Sequence, residues 1–315
     1  MRVASFCKFL LASAGVFSVA ACGGGGGGGT TFIPSPPVTP APPPTSTPSS
    51  STPAPFGLTA SRQFATFGVL SPPDAGRYNV ATADPNAISF SWSAEANAYQ
   101  ITLPGFAPAQ LALTFPGNNP LAFHATDANG NRLPLAISVW TPDVVGLNLS
   151  YSSLAHYSTY PEGATDPYIS GSFAFGVPTA VGDVPTTGTA NYDAKVFGRT
   201  LGIGYDITGD ARLTFDFGAG SLSGYMRPRL FSDWDGVDRA LGQYDFTQTV
   251  YSSGSTTFAG RFVVPNGPNG TDSTFQGQFT GPNAAELIAG WRAPYFDPFD
   301  NVWKSMGGVW LGKKQ

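Results

Sequence analysis

The side chains that most often carry catalysis or bind metals are few in this chain and lie far apart. It has two histidines, His124 and His156, and its only glutamates are Glu95, Glu162 and Glu286. Neither histidine has a usable cysteine or a carboxylate at the spacing of a metal site, so each is interpreted as a surface residue or a hydrogen-bonded one. Three scattered glutamates argue against a glutamate-paired glycosidase site, while a pair of aspartates stays open.

Two short motifs match known catalytic patterns without the context that those patterns need. Asp216-Phe217-Gly218 matches a kinase tripeptide, but no glycine-rich loop or catalytic loop accompanies it. The glycines at 218, 220 and 224 approximate a dinucleotide fingerprint, yet they follow an alternating strand pattern and open no helix. No serine sits in a recognisable nucleophile elbow. The sequence therefore indicates a protein that is not an enzyme, and it predicts no cofactor and no metal.

Cys22 is the residue whose context predicts a defined modification. Two basic residues precede an apolar run over 9–21, as in a secretory signal. The run is too short for a spanning helix, which needs about 20 apolar residues. Val19-Ala20-Ala21-Cys22 resembles the lipobox of bacterial lipoproteins, which implies a signal peptide over 1–21 and fatty acylation of Cys22. An ordinary secretory signal cleaved near Ala21 is the alternative.

The composition after Cys22 predicts a tether and limits the partners. Residues 22–56 are dominated by glycine, proline, serine and threonine, so we expect them to be disordered. Loss of the signal would lower the 16 basic residues to 14, against 20 acidic ones, and no basic cluster is present. Nucleic acid is therefore an unsuitable partner. The only other cysteine, Cys7, lies in the signal, so the folded part has no disulfide.

Beyond the tether, apolar and polar residues alternate with a period of two. Ala211, Leu213, Phe215 and Phe217 alternate with polar residues, as do Phe275, Gly277 and Phe279. Successive side chains of a strand point to opposite faces, so each run predicts a strand with one buried and one solvated face. Turn signals such as Asp127-Ala128-Asn129-Gly130 separate the runs. The fold class is therefore all-β, with antiparallel strands that form a sandwich or a barrel.

Several segments resemble a known family. They are Gly188-Thr189-Ala190-Asn191-Tyr192 and, most specifically, Phe275-Gln276-Gly277-Gln278-Phe279-Thr280-Gly281-Pro282-Asn283-Ala284-Ala285-Glu286-Leu287. This succession resembles the C-terminal barrel of the transferrin-binding protein B-like surface lipoproteins, a group that includes the complement factor H-binding protein. The resemblance covers about 177–315 well and 57–176 only loosely. It implies an antiparallel sheet region over 57–176, like the handle of that family, and an eight-stranded antiparallel β-barrel over 177–315.

The motif positions have structural roles that elementary chemistry predicts. Gly277 leaves room for rings and lets a barrel strand bend. Gly281-Pro282 ends that strand, because proline cannot donate to the ladder. Glu286, in an apolar stretch, is expected to accept hydrogen bonds from a turn or to pair with an arginine. The family usually reads Glu-Leu-Gly-Gly, whereas Ile288-Ala289 precede Gly290 here, which leaves the register of the following strand open.

Aromatic residues in the predicted barrel loops are the candidate ligand-binding residues. Residues 231–236 and 291–300 lie where the alternation fails, and they contain Trp234, Trp291, Tyr295, Phe296 and Phe299. Aromatic residues with a few charges are typical of protein-binding surfaces. The alternative is that these rings plug the open end of the barrel or pack within the loop.

Two functional hypotheses follow from these observations. The first is a binding module: an outer-membrane, surface-exposed lipoprotein that captures a macromolecule through the barrel loops. The resemblance implies a protein ligand, such as a carrier of iron or haem, and an outer-membrane transporter as a further partner. The second is a structural envelope lipoprotein without a dedicated ligand.

Overall fold

The computed structural model describes residues 54–70, 81–82, 87–115, 120–140, 146–159, 169–200, 205–232, 236–267, 273–297 and 299–315. In these ranges almost every regular element is a β-strand, and the only helical turns are two short 3-10 segments, Pro55–Gly57 and Pro282–Ala284. The predicted all-β class is confirmed. Among the same residues, no helix is long and apolar enough to cross a membrane.

The first ten strands form one antiparallel sheet with the spatial order β1-β4-β5-β6-β7-β8-β9-β10-β2-β3. The strands are β1 (Arg62–Gln63), β2 (Ala65–Leu70), β3 (Ala81–Thr82), β4 (Ser89–Ser93), β5 (Ala98–Thr102), β6 (Ala109–Phe115), β7 (Leu121–Thr126), β8 (Arg132–Val139), β9 (Ser152–Thr159) and β10 (Ile169–Gly176).

This first sheet curls around its own core. β1 pairs with β4 while β2 pairs with β10, and only Phe64 separates β1 from β2 along the chain. The continuous segment 62–70 therefore pairs with both ends of the strand series β4–β10. The alternation of β10 shows the result: Phe173 and Phe175 point into an aromatic core, and Ala174 between them points out of it.

The remaining strands form a second antiparallel sheet that closes into a barrel. They are β11 (Thr189–Thr200), β12 (Asp206–Asp216), β13 (Ser221–Ser232), β14 (Val237–Ala240), β15 (Tyr244–Val250), β16 (Thr257–Val263), β17 (Thr274–Thr280), β18 (Glu286–Asp297) and β19 (Val302–Lys314). Their order is β12-β11-β19-β18-β17-β16-β15-β13-β14, and a further pairing of β12 with β13 completes the ring. Eight strands make the wall and β14 lies outside it, so the predicted eight-stranded barrel is confirmed.

Glycines among the inward positions make room for the rings that fill the barrel. A Cβ atom on Gly277 would lie 2.3 Å from Cζ of Phe258 and 2.8 Å from Cβ of Ala289. Phe279, two residues on, packs against Phe215 with ring centroids 4.8 Å apart. β17 ends at Thr280 directly before Gly281-Pro282, as predicted. The register from β17 through β18 to β19 is continuous, so the Ile288-Ala289 departure leaves no irregularity.

The two sheets meet over an apolar junction closed by one buried carboxylate. Outward residues of β18 and β19, including Ile288 and Val309, pack against Phe67 and Ala174 of the first sheet. At one end of the junction, Glu286 accepts hydrogen bonds from the backbone N–H groups of 150 and 151, at 2.5 and 3.0 Å. Of the two roles expected for Glu286, the hydrogen bonds from a turn are the one observed.

Candidate functional site

The beginning of the described chain and the β18–β19 turn lie at opposite ends of the barrel. Phe56, at the beginning of the described chain, packs on Phe175, and the following Gly176 lies beside Thr280 at the end of β17. The described chain therefore begins beside the β17–β18 turn. The β18–β19 turn lies at the opposite end, because β18 runs the full height of the barrel between the two turns.

A buried aspartate shapes the β18–β19 turn. The Asp297 side chain is almost fully buried, and Oδ1 accepts hydrogen bonds from the N–H groups of Phe299 and Asp300 at 2.9 and 3.4 Å. Oδ2 accepts from the Tyr295 hydroxyl at 3.3 Å and lies 2.8 Å from Nζ of Lys304. The backbone carbonyl of Asp297 accepts the N–H of residue 301 at 2.9 Å. The turn is thus held from inside the barrel mouth.

The ion pair keeps the turn charged and hydrogen-bonded at neutral pH. Burial pushes the pKa of Asp297 up, but hydrogen bonds from Lys304 and from the N–H of Phe299 outweigh it and hold the pKa below its usual range. Hydrogen bonds to Asp297 and Asp300 raise the pKa of Lys304. Both partners are therefore ionised across the physiological range, which favours a rigid turn.

This rigid turn displays apolar side chains to solvent. Phe296, Phe299 and Val302 are 44%, 47% and 47% exposed, and together they are called the tip patch. Phe299 stacks on Tyr205 at 5.5 Å, and Phe296 meets Trp303 edge-on at 5.6 Å. Each ring thus contacts a neighbouring ring while close to half of its surface stays exposed. Such half-packed aromatics with restricted rotamers lose little entropy when a partner covers them.

The structure corrects the predicted position of two candidate residues. Residues 291–297 belong to β18 rather than to a loop, and Trp291 and Tyr295 are each only 1% exposed inside the barrel. They point inward with Ala293 between them, so neither ring is available at the surface. Phe296 and Phe299 are exposed at the predicted end. Trp234 and Cys22 lie outside the described residues, and their roles stay predictions.

The histidines take part in single hydrogen bonds. Nδ1 of His124 lies 3.1 Å from Oγ1 of Thr114, and Nδ1 of His156 lies 3.3 Å from Oγ of Ser172. Burial, with the nearby Arg199 cation, lowers the pKa of His156 to about 4, so it is neutral at pH 7. In the part of the chain that the structure describes, no group of three His, Cys, Asp or Glu side chains is placed to hold a metal ion.

Comparison with known proteins finds similarity among solved structures only. No protein-family model matches the chain, and no curated protein matches it. A Transferrin Binding Protein B mutant from Haemophilus parasuis is 18% identical, with a TM-score of 0.44 over 81% of this chain and 45% of that one. The match spans less than half the length of that protein.

Two further solved structures have similar scores. Transferrin binding protein B from serogroup B Neisseria meningitidis is 14% identical over 79% of this chain and 63% of that one, with a TM-score of 0.38. HpuA from Kingella denitrificans, in complex with human haemoglobin, is 14% identical over 82% of this chain and 88% of that one, with a TM-score of 0.40. The family that the sequence motifs resemble is represented among these structures.

Sequence reasoning missed the residues that support the tip patch. Lys304 and Trp303 lie in the next strand, and their contacts with Asp297 and Phe296 depend on the hairpin register. An available signal was Asp297 followed by Asp300-Asn301, since aspartate and asparagine favour tight turns between strands.

Proposed function

We propose that this protein is a lipid-anchored surface protein that captures a protein ligand through the tip patch. The observation that carries the proposal is the β18–β19 turn, where a buried ion pair fixes three exposed apolar side chains at one end of the barrel. A pre-organised apolar anchor surrounded by polar groups is typical of binding hot spots. The catalytic alternative has no comparable support.

The position of the tether supports this use of the tip patch. With Cys22 as the anchor, the chain reaches the folded part beside the β17–β18 turn. β18 then leads away from that end over 12 residues, or roughly 40 Å of strand. The tip patch is therefore at the end of the barrel opposite the one beside which the described chain begins.

The sequence resemblance extends the proposal to the class of ligand. We infer a carrier of iron or haem as the ligand, and an outer-membrane transporter as the partner that would receive the cargo. A structural envelope lipoprotein without a dedicated ligand is the alternative.

Capture by immobilised protein tests the proposal. A chain that begins at residue 54 would be offered transferrin, haemoglobin, whole serum and spent growth medium. Replacing both tip rings, Phe296→Ser with Phe299→Ser, should weaken capture by about 2 kcal/mol or more, roughly thirtyfold in Kd. The free energy of unfolding should fall by less than about 1 kcal/mol for each ring, because each is only partly buried.

Val181→Ser is the matched control for this experiment. Val181 is 94% exposed, and the nearby Asp183 side chain accepts the N–H of residue 283 at the tether end of the barrel. The control should retain full capture. Equal capture by the tip variant and the control would contradict the tip patch. Absence of any captured protein would favour the structural envelope lipoprotein.

The anchor is tested by Cys22→Ser. Because the thiol at position 22 is the acceptor that the lipobox predicts, the variant should incorporate no radiolabelled palmitate and should stay unprocessed or be released. The Cys7→Ser variant is the control and should be labelled like the natural protein. Normal labelling of Cys22→Ser would show that the segment is an ordinary secretory signal.

A further inference from the structure

β14 is the one strand of the barrel sheet that lies outside the closed ring of described strands. It pairs only with the last four residues of β13, through 229–232, whereas β15 pairs with β13 at Tyr225 and Met226. Along β13, the neighbouring strand on this side therefore changes from β15 to β14. We propose that the outer edge of β14 is a strand-addition site, which takes an extended segment of a partner protein.

The hydrogen-bond pattern shows which backbone groups this edge presents. The N–H of Leu241 donates to the carbonyl of Pro228 at 3.0 Å. In an antiparallel pair, hydrogen-bonded and non-hydrogen-bonded positions alternate. Arg239, opposite Leu230, is therefore bonded to β13, while Asp238 and Ala240 direct their N–H and C=O groups away from it. No described residue makes a hydrogen bond to those four groups.

The side chains of β14 leave the edge accessible. Residues 238–240 are all exposed. Charged side chains commonly block an exposed edge, but Asp238 is turned onto the outer face, where it lies 2.9 Å from Nη2 of Arg229. Gly242, with φ of 95°, adopts the left-handed backbone conformation that the chain needs between β14 and β15.

The charge at the centre of β14 decides which occupant fits. A second copy pairing about a two-fold axis centred on residue 239 would place Arg239 opposite its own counterpart, and like charges directly opposite are destabilising. A partner segment with a carboxylate opposite Arg239 would instead form a stabilising cross-strand ion pair. Charge complementarity to Arg239 therefore favours, as the occupant, an extended segment of a different protein with an acidic residue at its centre. This inference does not depend on the tip patch.

Peptide binding to the full lipidated chain in detergent provides the test. The probe is an acetylated seven-residue peptide that alternates threonine and valine around a central glutamate, and its counterpart has a central lysine. The glutamate peptide should bind more tightly than the lysine peptide, and Arg239→Glu should reverse that preference. Residue-resolved hydrogen exchange should show that the amides of Asp238 and Ala240 exchange rapidly alone and slowly with the peptide.

Ala240→Pro separates strand addition from other modes of binding. Proline at position 240 removes the N–H that faces outward and keeps the hydrogen bonds between β14 and β13. Edge strands tolerate proline at such solvent-facing positions. The Kd for the glutamate peptide should rise about tenfold, as expected for one lost hydrogen bond, with thermal unfolding unchanged. Ala240→Val, which keeps the N–H, is the control. Unchanged affinity in Ala240→Pro, no binding to the natural protein, or slow exchange of both amides without peptide would overturn the proposal.

Discussion

Replacing Trp291 with alanine is expected to lower the free energy of unfolding by about 3–5 kcal/mol, the usual cost of a large cavity in a core. The ring is 1% exposed and fills the barrel where β11 provides only a glycine, since a Cβ on Gly198 would lie 2.7 Å from Cζ2 of the ring. Urea unfolding followed by circular dichroism measures the change.

Phe299→Ala is the matched variant for Trp291→Ala. The Phe299 ring is 47% exposed and packs on Tyr205 through one face only, so its removal should cost less than about 1 kcal/mol. Similar losses in the two variants would mean that both rings are interior plugs, and the tip patch would not be a surface at all.

Replacing Glu286 with alanine should destabilise the protein by about 3 kcal/mol, because hydrogen bonds to a charged group contribute roughly 1.5–3 kcal/mol each. The Glu286 carboxylate joins the barrel to the first sheet through the N–H groups of Ser150 and Tyr151. Glu286→Gln keeps one acceptor oxygen and should cost about half as much. Glu95→Ala removes an exposed carboxylate in a turn and should be neutral.

The pH dependence of Glu286→Gln follows from the environment of Glu286. Burial raises the pKa of Glu286 above 4.5, although hydrogen bonds from the N–H groups of Ser150 and Tyr151 act in the opposite direction. As the pH falls into the window just above 4.5, the folded state takes up this proton before the unfolded state does. The natural protein should therefore gain stability relative to Glu286→Gln on acidification. A difference that narrows on acidification would show that folding lowers the pKa of Glu286 instead.

The alternation of apolar residues predicted the strands but not every boundary. In β18, the inward positions Trp291, Ala293 and Tyr295 keep the period of two. The outward position Ile288 is also apolar, because that face packs against the first sheet. With both faces buried, the alternation is lost, so the sequence predicts a loop where the structure has a strand.

Other features depend on tertiary structure that local patterns do not contain. The single segment 62–70 pairs with β4 through β1 and with β10 and β3 through β2, and β13 changes partner from β15 to β14. Both follow from the closure of a sheet, which no window of sequence specifies. The ion pair at the barrel mouth likewise depends on the register between β18 and β19. Within the predicted segment 291–300, Phe296 and Phe299 are exposed while Trp291 and Tyr295 are buried, and the aromatic composition alone does not distinguish the two pairs.

Site-specific photocrosslinking in intact cells tests the capture role of the tip patch most directly. A photoreactive phenylalanine would replace Phe299 and, in a separate strain, Val181, which is 94% exposed and lies near the β17–β18 turn. After exposure to serum or growth medium, position 299 should form a discrete adduct with one protein, and position 181 should form none. An adduct from both positions alike, or none from position 299 while the natural protein still captures its ligand, would contradict a ligand site at the β18–β19 turn.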